Sequence, residues 1–205
     1  GDSSGKSTLL RNMIHRISEG IPPSDVKLLV IDYRRQLLGE CPATHLAGYA
    51  STKQDVQEFI SQLVPLLESR MPAGVDDPQT LRDRSWWKGP DIFLVVDDYD
   101  LVATSSGNPL QGLLELLPYG RDIGLHMVVA RRCTGFSRTS FEPIMARLRE
   151  LHPTIFLMSG TAEEGIIAGG RKARSLSKGR ADVISNQGTH QVVQFAHHVG
   201  EEKTE

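Results

Sequence analysis

GDSSGKST, residues 1–8, and DIFLVVDD, residues 91–98, are the stretches that decide the fold of this chain. In the first, glycine and small residues let successive backbone N–H groups turn toward phosphate oxygens, and the lysine adds a positive charge near the β and γ phosphates. A helix follows, and its amino end carries partial positive charge. We predict that the hydroxyl of Ser7 is a ligand of Mg²⁺. The predicted phosphate-binding residues of this loop are Ser4, Gly5, Lys6, Ser7 and Thr8.

The loop departs from the usual pattern in its length. Phosphate-binding loops of this type have four residues between their two glycines, whereas three separate Gly1 from Gly5. Two explanations stay open: the first glycine of the motif precedes Gly1, or the loop is one residue short. Free-standing proteins of this class have a β-strand before the loop, so we expect the sequence to be a fragment or an excised domain. The alternative interpretation is that residues 1–8 are a serine-rich linker that contains GKST by chance and binds no nucleotide.

The run at residues 91–98 ends in two carboxylates. Its apolar body is typical of a strand buried on both faces of a parallel sheet, and open α/β sheets bind ligands at the carboxyl ends of such strands. We predict that Asp97 holds Mg²⁺, through water or through Ser7, and that Asp98 orients the attacking water. Asp98 is one methylene shorter than the glutamate usual there, so the sequence supports binding better than hydrolysis. Without an upstream phosphate loop, the two acids would equally be a helix cap.

Three arginines are candidates for contact with the terminal phosphate. Arg131 and Arg132 follow a predicted strand, residues 125–130, so at least one of them emerges at the phosphate edge of the sheet as a sensor. A structural ion pair is an equal alternative. Arg121 is a candidate arginine finger, acting either in cis or across a subunit boundary, and a solvated loop arginine is its alternative.

Apolar periodicity predicts an α/β fold. Residues 9–17 have helical spacing directly after the phosphate loop. The other predicted helices are residues 53–70, 111–117 and 142–151, and the predicted strands are residues 27–32, 92–97, 125–130 and 154–157. This alternation implies right-handed βαβ crossovers and a mostly parallel sheet with helices on both faces. Near the end, residues 181–185 and 191–195 flank NQGT and predict a β-hairpin. The polar stretch 71–88 is predicted as a loop.

Composition limits the classes of function. The 205 residues are 39% hydrophobic and 23% charged, which is the balance of a soluble domain with a core. The formal net charge of -2 gives no global basic field for duplex DNA, so no nucleic-acid partner is expected. Two cysteines without ligand spacing point to a reducing cytoplasm. No apolar run approaches the roughly 20 residues that cross a bilayer, so any membrane association comes through other segments or partners.

Four longer phrases resemble the EccC ATPases of mycobacterial and related type VII secretion systems. They are closest to the last of the FtsK/SpoIIIE-like ATPase domains that these proteins carry in tandem. The phrases are VIDYRR (30–35), RSWWKGPD (84–91), VVDDYDLVA (95–103) and DIGLH (122–126). The resemblance spans almost the whole chain and implies one N-terminally truncated domain over residues 1–199, with a disordered tail over 200–205.

The resemblance implies a RecA-like P-loop core that uses ATP and Mg²⁺ at the inner face of the cell membrane. It implies anchoring through other segments or membrane subunits, neighbouring ATPase domains, and hexameric rings of the full-length protein. The last ATPase domain of the family is similar to a docking module for the C-terminal export signals of WXG100-type substrates. These partners are expectations from the resemblance alone.

The family's motifs map onto single positions of this chain. The Walker A residues are Gly5, Lys6, Ser7 and Thr8, and the Walker B residues are Asp97 and Asp98. Arg121 falls where DNA-translocase relatives have an arginine before a Gly-Ile-His strand, and Arg132 falls where they have a polar sensor. Asp98 and Arg132 depart from the active translocase pattern, which favours weak or conditional hydrolysis. A nucleotide-locked interaction module without turnover stays open, and a DNA translocase is disfavoured by the acidic balance.

Overall fold

A parallel sheet of four strands forms the centre of the fold in the computed structural model, which describes residues 5–135 and 142–196. The strands lie in the order β2-β1-β3-β4. They are β1 (Val26–Ile31), β2 (Leu46–Ala50), β3 (Asp91–Val96) and β4 (Leu125–Val129). All three neighbouring pairs are parallel, so the strands end together at one edge, called here the carboxyl edge, and begin together at the opposite amino edge.

Helices cover both faces of this sheet, as the apolar periodicity predicts. They are α1 (Lys6–Gly20), α2 (Lys53–Glu68), α3 (Pro78–Asp83), α4 (Tyr99–Val102), α5 (Gly120–Ile123) and α6 (Pro143–Glu150). Successive strand residues point to opposite faces. Accordingly Leu28 and Val30 pack with α1 in one core cluster, whereas Leu29 and Ile31 pack with α2 and α6 in another. The predicted α/β class with a mostly parallel sheet is confirmed.

The amino end of α2 shows why its helix begins where it does. The Thr52 hydroxyl accepts a hydrogen bond from the Asp55 backbone N–H at 3.2 Å, and the Asp55 carboxylate accepts one from the Thr52 N–H at 2.9 Å. This reciprocal cap satisfies two donors that the first helical turn leaves without partners. The helix then continues through Pro65 to Glu68.

Three parts of the sequence prediction differ from the structure. The short edge strand β2, with sequence LAGYA, carries too few large apolar residues to show strand periodicity. Asp77 caps α3 within the stretch predicted as a polar loop, and Pro78 pre-sets its first turn. In place of the helix predicted over 111–117, the chain forms two 3₁₀ turns, Gln111–Leu113 and Leu117–Tyr119.

A second, antiparallel sheet follows the first. Its strands β5 (Ile155–Met158), β8 (Arg180–Ile184) and β9 (His190–Gln194) lie in the order β5-β8-β9. The predicted hairpin is confirmed, because β8 and β9 pair from Arg180 with Gln194 to Ile184 with His190. The strand predicted over 154–157 forms, but it pairs antiparallel with β8 instead of joining the parallel sheet. A two-stranded ribbon, β6 (Ile166–Ala168) and β7 (Arg171–Lys172), lies between β5 and β8 in the chain.

An apolar cavity of about 430 Å³ separates the two sheets. Residues of β4 and β5 form its two sides, and α1 and α6 contribute Leu9, Met13, Met145 and Leu148. Within the ranges that the structure describes, β4 pairs only with β3 and β5 only with β8. The facing edges of β4 and β5 therefore have no strand between them in this part of the chain.

The tail predicted over residues 200–205 lies outside the described residues. Across the described ranges, no helix combines the length and apolar character needed to cross a bilayer.

The buried carboxylate of Asp182 ties β8 to its surroundings and gives a test of the second sheet. Arg174 donates to both of its oxygens at 2.8 Å, and His190 Nε2 lies 2.9 Å from Oδ1. Hydrogen bonds from the Arg174 guanidinium hold the pKa of Asp182 well below its ordinary range, although burial opposes this shift. The ion pair therefore stabilises the folded protein above the ordinary aspartate pKa and loses that effect as pH falls through the lower folded value.

We expect Asp182→Asn to lower the free energy of unfolding by about 1–3 kcal/mol at pH 7, since it removes charge-assisted hydrogen bonds from a buried group. The difference from wild type should shrink as pH falls below about 4. Urea unfolding at a series of pH values measures it, with the exposed Asp76→Asn as the matched control. An Asp182→Asn deficit that stays constant down to about pH 2 would contradict the assignment.

Candidate nucleotide-binding site

The two motifs that decide the fold meet at the carboxyl edge of the sheet. Ser7 lies in the first turn of α1, and Asp97 directly follows β3. The Ser7 hydroxyl donates a hydrogen bond to Asp97 Oδ2 at 2.7 Å across 90 positions of sequence. The structure therefore brings together the two residues predicted to hold Mg²⁺.

Gly5 makes the turn from the loop into α1. Its φ of 95° lies in the left-handed region, which glycine adopts without steric cost. A Cβ at this position would lie 3.3 Å from Met158 Cε and 3.6 Å from the Gly179 backbone nitrogen. The backbone conformation therefore favours glycine, whereas the nearby Met158 Cε is the end of a flexible side chain that could shift.

The amino end of α1 is arranged to receive an anion. No described side chain caps the helix at Gly5, so its first backbone N–H groups are left for an external acceptor. Lys6 and Thr8 lie in this first turn and are half-buried. Ser4 lies outside the described residues, so its predicted role stays a prediction.

Asp97 is buried, with 1% of its surface exposed. Burial raises the pKa of its carboxyl, the hydrogen bond from Ser7 opposes that shift, and the nearby charges of Asp98 and Asp32 add to it. A carboxylate in this setting is costly unless a cation lies beside it. The residues present therefore fit Mg²⁺, which prefers oxygen ligands.

The protein alone supplies few ligands for such an ion. Within residues 5–135 and 142–196, no three His, Cys, Asp or Glu side chains gather as a metal site. Mg²⁺ is commonly held by one or two protein oxygens together with water and substrate phosphates. Ser7 and Asp97 fit that arrangement, in which the ion and the nucleotide bind together.

Asp98 adopts an unusual backbone conformation beside Asp97. Its φ of 44° and ψ of 55° are left-handed, a region that aspartate tolerates better than most residues. Its backbone N–H donates to Asp97 Oδ1 at 2.9 Å. Its own carboxylate accepts a hydrogen bond from Arg34 Nη1 at 3.3 Å. The predicted water-orienting acid is therefore at the site, and it is paired with a cation.

Asp100 engages both arginines that follow β4. Arg131 Nη2 donates to Asp100 Oδ1 at 3.1 Å, and the Arg132 backbone N–H donates to Oδ2 at 2.9 Å. The Arg131 side chain is 9% exposed and that of Arg132 is 49% exposed. Both residues line the cavity between β4 and β5, as does Lys6. Arg131 fits the structural ion pair, and Arg132 presents a more accessible guanidinium near Lys6.

Arg121 lies at the other side of the sheet. It belongs to α5, which precedes β4 and therefore sits at the amino edge. The five residues of β4 span about 16 Å between that edge and the carboxyl edge. A cis contact of Arg121 with a nucleotide at Ser7 does not fit this geometry, because parallel strands separate their two ends. The exposed side chain remains a candidate only for a contact with another subunit.

The sequence analysis missed Asp32 as part of this edge. Asp32 directly follows β1 and is fully buried. Its Oδ2 accepts hydrogen bonds from the Leu37 N–H at 2.6 Å and the Tyr49 hydroxyl at 2.8 Å. Burial is the main cause that raises the pKa of Tyr49. The available signal was an acid at the end of a core strand, the same pattern that identified Asp97.

The Trp86–Trp87 pair forms a clamp at the amino edge. The indole N–H of Trp86 donates to the Arg70 carbonyl at 2.7 Å, and that of Trp87 donates to the Asp122 carbonyl at 2.9 Å. The Arg70 guanidinium lies 4.2 Å from the centre of a Trp87 ring. Both tryptophans are half-buried. Through Asp122, Trp87 holds the segment that leads into β4. Both tryptophans lie at the edge opposite the nucleotide site.

Comparisons with known proteins give closely similar chains. The ESX-4 secretion system protein EccC4 of Mycobacterium tuberculosis is 46% identical over 192 residues, which cover 94% of this chain and 16% of that protein. The cytoplasmic domain of the Thermomonospora curvata type VII secretion ATPase EccC superposes with a TM-score of 0.91 at 40% identity, over 95% of this chain and 23% of that one.

A second solved structure contains a bound peptide. It is Thermomonospora curvata EccC, ATPases 2 and 3, in complex with a signal sequence peptide. It has a TM-score of 0.91 and 40% identity, and it covers 95% of this chain and 35% of that chain. No protein-family profile matches the chain. The chain spans about a sixth of the length of EccC4.

Replacing the loop lysine tests the site directly. We expect Lys6→Ala to weaken Mg-ATP binding by about ten-fold or more, because it removes a charge-assisted contact to the phosphates. Isothermal titration of the variant and of wild type measures this change. Lys172→Ala in β7 is the matched control, since that lysine is exposed. Equal ATP affinity in wild type and Lys6→Ala would place the nucleotide elsewhere.

Proposed function

Because the chain belongs to the EccC family of type VII secretion ATPases, we propose that it binds Mg-ATP in such an ATPase, hydrolyses it weakly or conditionally, and recognises C-terminal export signals of WXG100-type substrates. The comparisons confirm the predicted resemblance to EccC ATPases and the predicted P-loop ATPase fold. The observation that carries the nucleotide part is the hydrogen bond between Ser7 and Asp97.

The residues at the carboxyl edge divide the work of binding. Lys6 and the first N–H groups of α1 contact the phosphates, since both present positive charge to an anion. Ser7 and Asp97 hold Mg²⁺ through their oxygens. When bound, Mg²⁺ neutralises charge on the phosphate oxygens. Gly5 supplies the left-handed turn that leads from the loop into α1.

Hydrolysis requires an acceptor that orients the attacking water. Asp98 is the acid proposed for that role, but its side chain reaches one methylene less far than a glutamate, and its Oδ2 is paired with Arg34. Arg132 supplies a positive charge at the same edge, where the family's translocase relatives have a polar residue. These features support slow turnover as the proposed activity.

The substrate part of the proposal is carried by a relative. Thermomonospora curvata EccC has been solved with a signal sequence peptide, and the part of it that aligns with this chain superposes over 95% of the chain. We propose that this chain likewise recognises export signals of WXG100-type substrates. We also propose that residues 1–199 form a single ATPase domain.

The proposed setting is a larger assembly. The domain works at the inner face of the cell membrane, attached through other segments or membrane subunits, and beside other ATPase domains of a homo-hexamer. Arg121 lies exposed at the amino edge and is available to a neighbouring subunit. The net charge of -2 supports a protein partner over nucleic acid.

One observation favours a second candidate, a nucleotide-locked interaction module without turnover. The ion pair with Arg34 occupies Oδ2, one of the two Asp98 oxygens that could accept a hydrogen bond from the attacking water. In such a module ATP would stabilise the fold without being consumed. A DNA translocase is less well supported, because the chain has no basic excess.

Calorimetry with ATP and with the C-terminal peptide of a WXG100 protein, combined with a phosphate-release assay, tests the proposal. We expect both ligands to bind and turnover to be slow. Absence of both binding events would refute it. Lys6→Ala separates the two candidates: a lower melting temperature in the presence of ATP with unchanged turnover supports the locked module, whereas a loss of turnover supports the ATPase.

A further inference from the structure

Arg34 covers the open side of an otherwise enclosed carboxylate. Its Nη1 lies 3.3 Å from Asp98 Oδ2, and its side chain is 55% exposed, whereas that of Asp98 is 15% exposed. Among the described residues, no other side chain bonds to the carboxylate of Asp98. The carboxylate of Asp98 thus has one side-chain partner among the described residues, and that partner stands mostly in solvent.

The loop that carries Arg34 is fixed at both ends. Its start is anchored by buried Asp32, whose carboxylate accepts the Leu37 N–H at 2.6 Å. Its far end is tied to α1, because Glu40 forms an ion pair with Arg11 at 2.7 Å and its Oε2 lies 3.0 Å from His15 Nε2. The loop of residues 33–40 therefore connects the helix that follows the phosphate loop to the acid that follows β3.

We propose that Arg34 is a positioning residue that holds the Asp98 carboxylate in an ion pair and so limits ATP turnover. This inference rests on the proposed ATP-binding function. A carboxylate orients water by accepting its hydrogen bond, and the guanidinium occupies Oδ2, one of the two oxygens that can accept that bond. Because the side chain of Asp98 is short, its carboxylate cannot rotate far from Arg34. Water therefore reaches Oδ2 only when the Arg34 guanidinium moves away.

The size of the effect follows from the exposure of the pair. An ion pair with one partner largely in solvent contributes little, which corresponds to about a two- to five-fold change in a rate. The screening length falls from about 10 Å at 0.1 M salt to about 3 Å at 1 M, which approaches the 3.3 Å separation of this exposed pair. Turnover limited by this contact should therefore rise toward high salt.

Steady-state kinetics of three variants test the proposal. We expect Arg34→Ala to raise kcat by about two- to five-fold without changing the Kd for Mg-ATP, and Arg34→Lys to stay near wild type. Between about 50 and 500 mM salt, kcat should rise in wild type but not in Arg34→Ala. The control is Arg16→Ala. Arg16 lies on α1 and forms an exposed ion pair with Glu19 at 3.4 Å, and in the part of the chain that the structure describes it makes no contact with Asp98.

A second readout needs no turnover. A double-mutant cycle compares the melting temperatures of nucleotide-free Arg34→Ala, Asp98→Asn and the double variant. If the two residues form an ion pair, the shifts of the single variants do not add up to the shift of the double variant. Additive shifts overturn the proposal. It also fails if kcat of Arg34→Ala is unchanged or lower, or if its Kd for Mg-ATP rises, since Arg34 would then contact the nucleotide. If the wild-type protein does not bind Mg-ATP, the proposed function is refuted. The double-mutant cycle needs no nucleotide, so it still tests the ion pair in that case.

Discussion

The hydrogen bond from Ser7 to Asp97 is the contact on which the rest of the site depends. It joins the amino end of α1 to the carboxyl end of β3, and both oxygens belong to the class that Mg²⁺ prefers. Asp97 is buried, and a buried carboxylate is costly without neutralisation. The Ser7 hydroxyl stabilises the charged form by donating a hydrogen bond, and the negative charge itself remains for a cation to neutralise.

The parallel register of the sheet explains what else can reach this contact. Because β1, β3 and β4 run in the same direction, residues that follow them gather at one edge. Asp32, Asp98 and Arg132 reach the carboxyl edge in this way. Arg121 precedes β4 and is held at the amino edge near the tryptophan clamp. A single topological constraint thus divides the candidate residues into those at the carboxyl edge and Arg121, which lies at the amino edge.

The charges at the carboxyl edge are balanced by pairs. Asp98 is matched by Arg34, and Asp100 by Arg131 and Arg132. A phosphate-binding site needs free positive charge, and a hydrolytic site needs a free acceptor for water. Pairing of the side chains with each other lowers the availability of both, which supports the proposal that turnover is slow.

Much of the fold could be predicted from local sequence, because apolar spacing reports burial and backbone state. The sequence by itself determined the phosphate loop, the core strands ending in Asp32 and Asp97, the helices α1 and α2, and the final hairpin. The tertiary structure alone decided the edge on which Arg121 lies, the sheet that β5 joins, and the pairing of Arg34 with Asp98. These depend on contacts between distant residues, whose partners are set by strand order and register, and no local spacing records them.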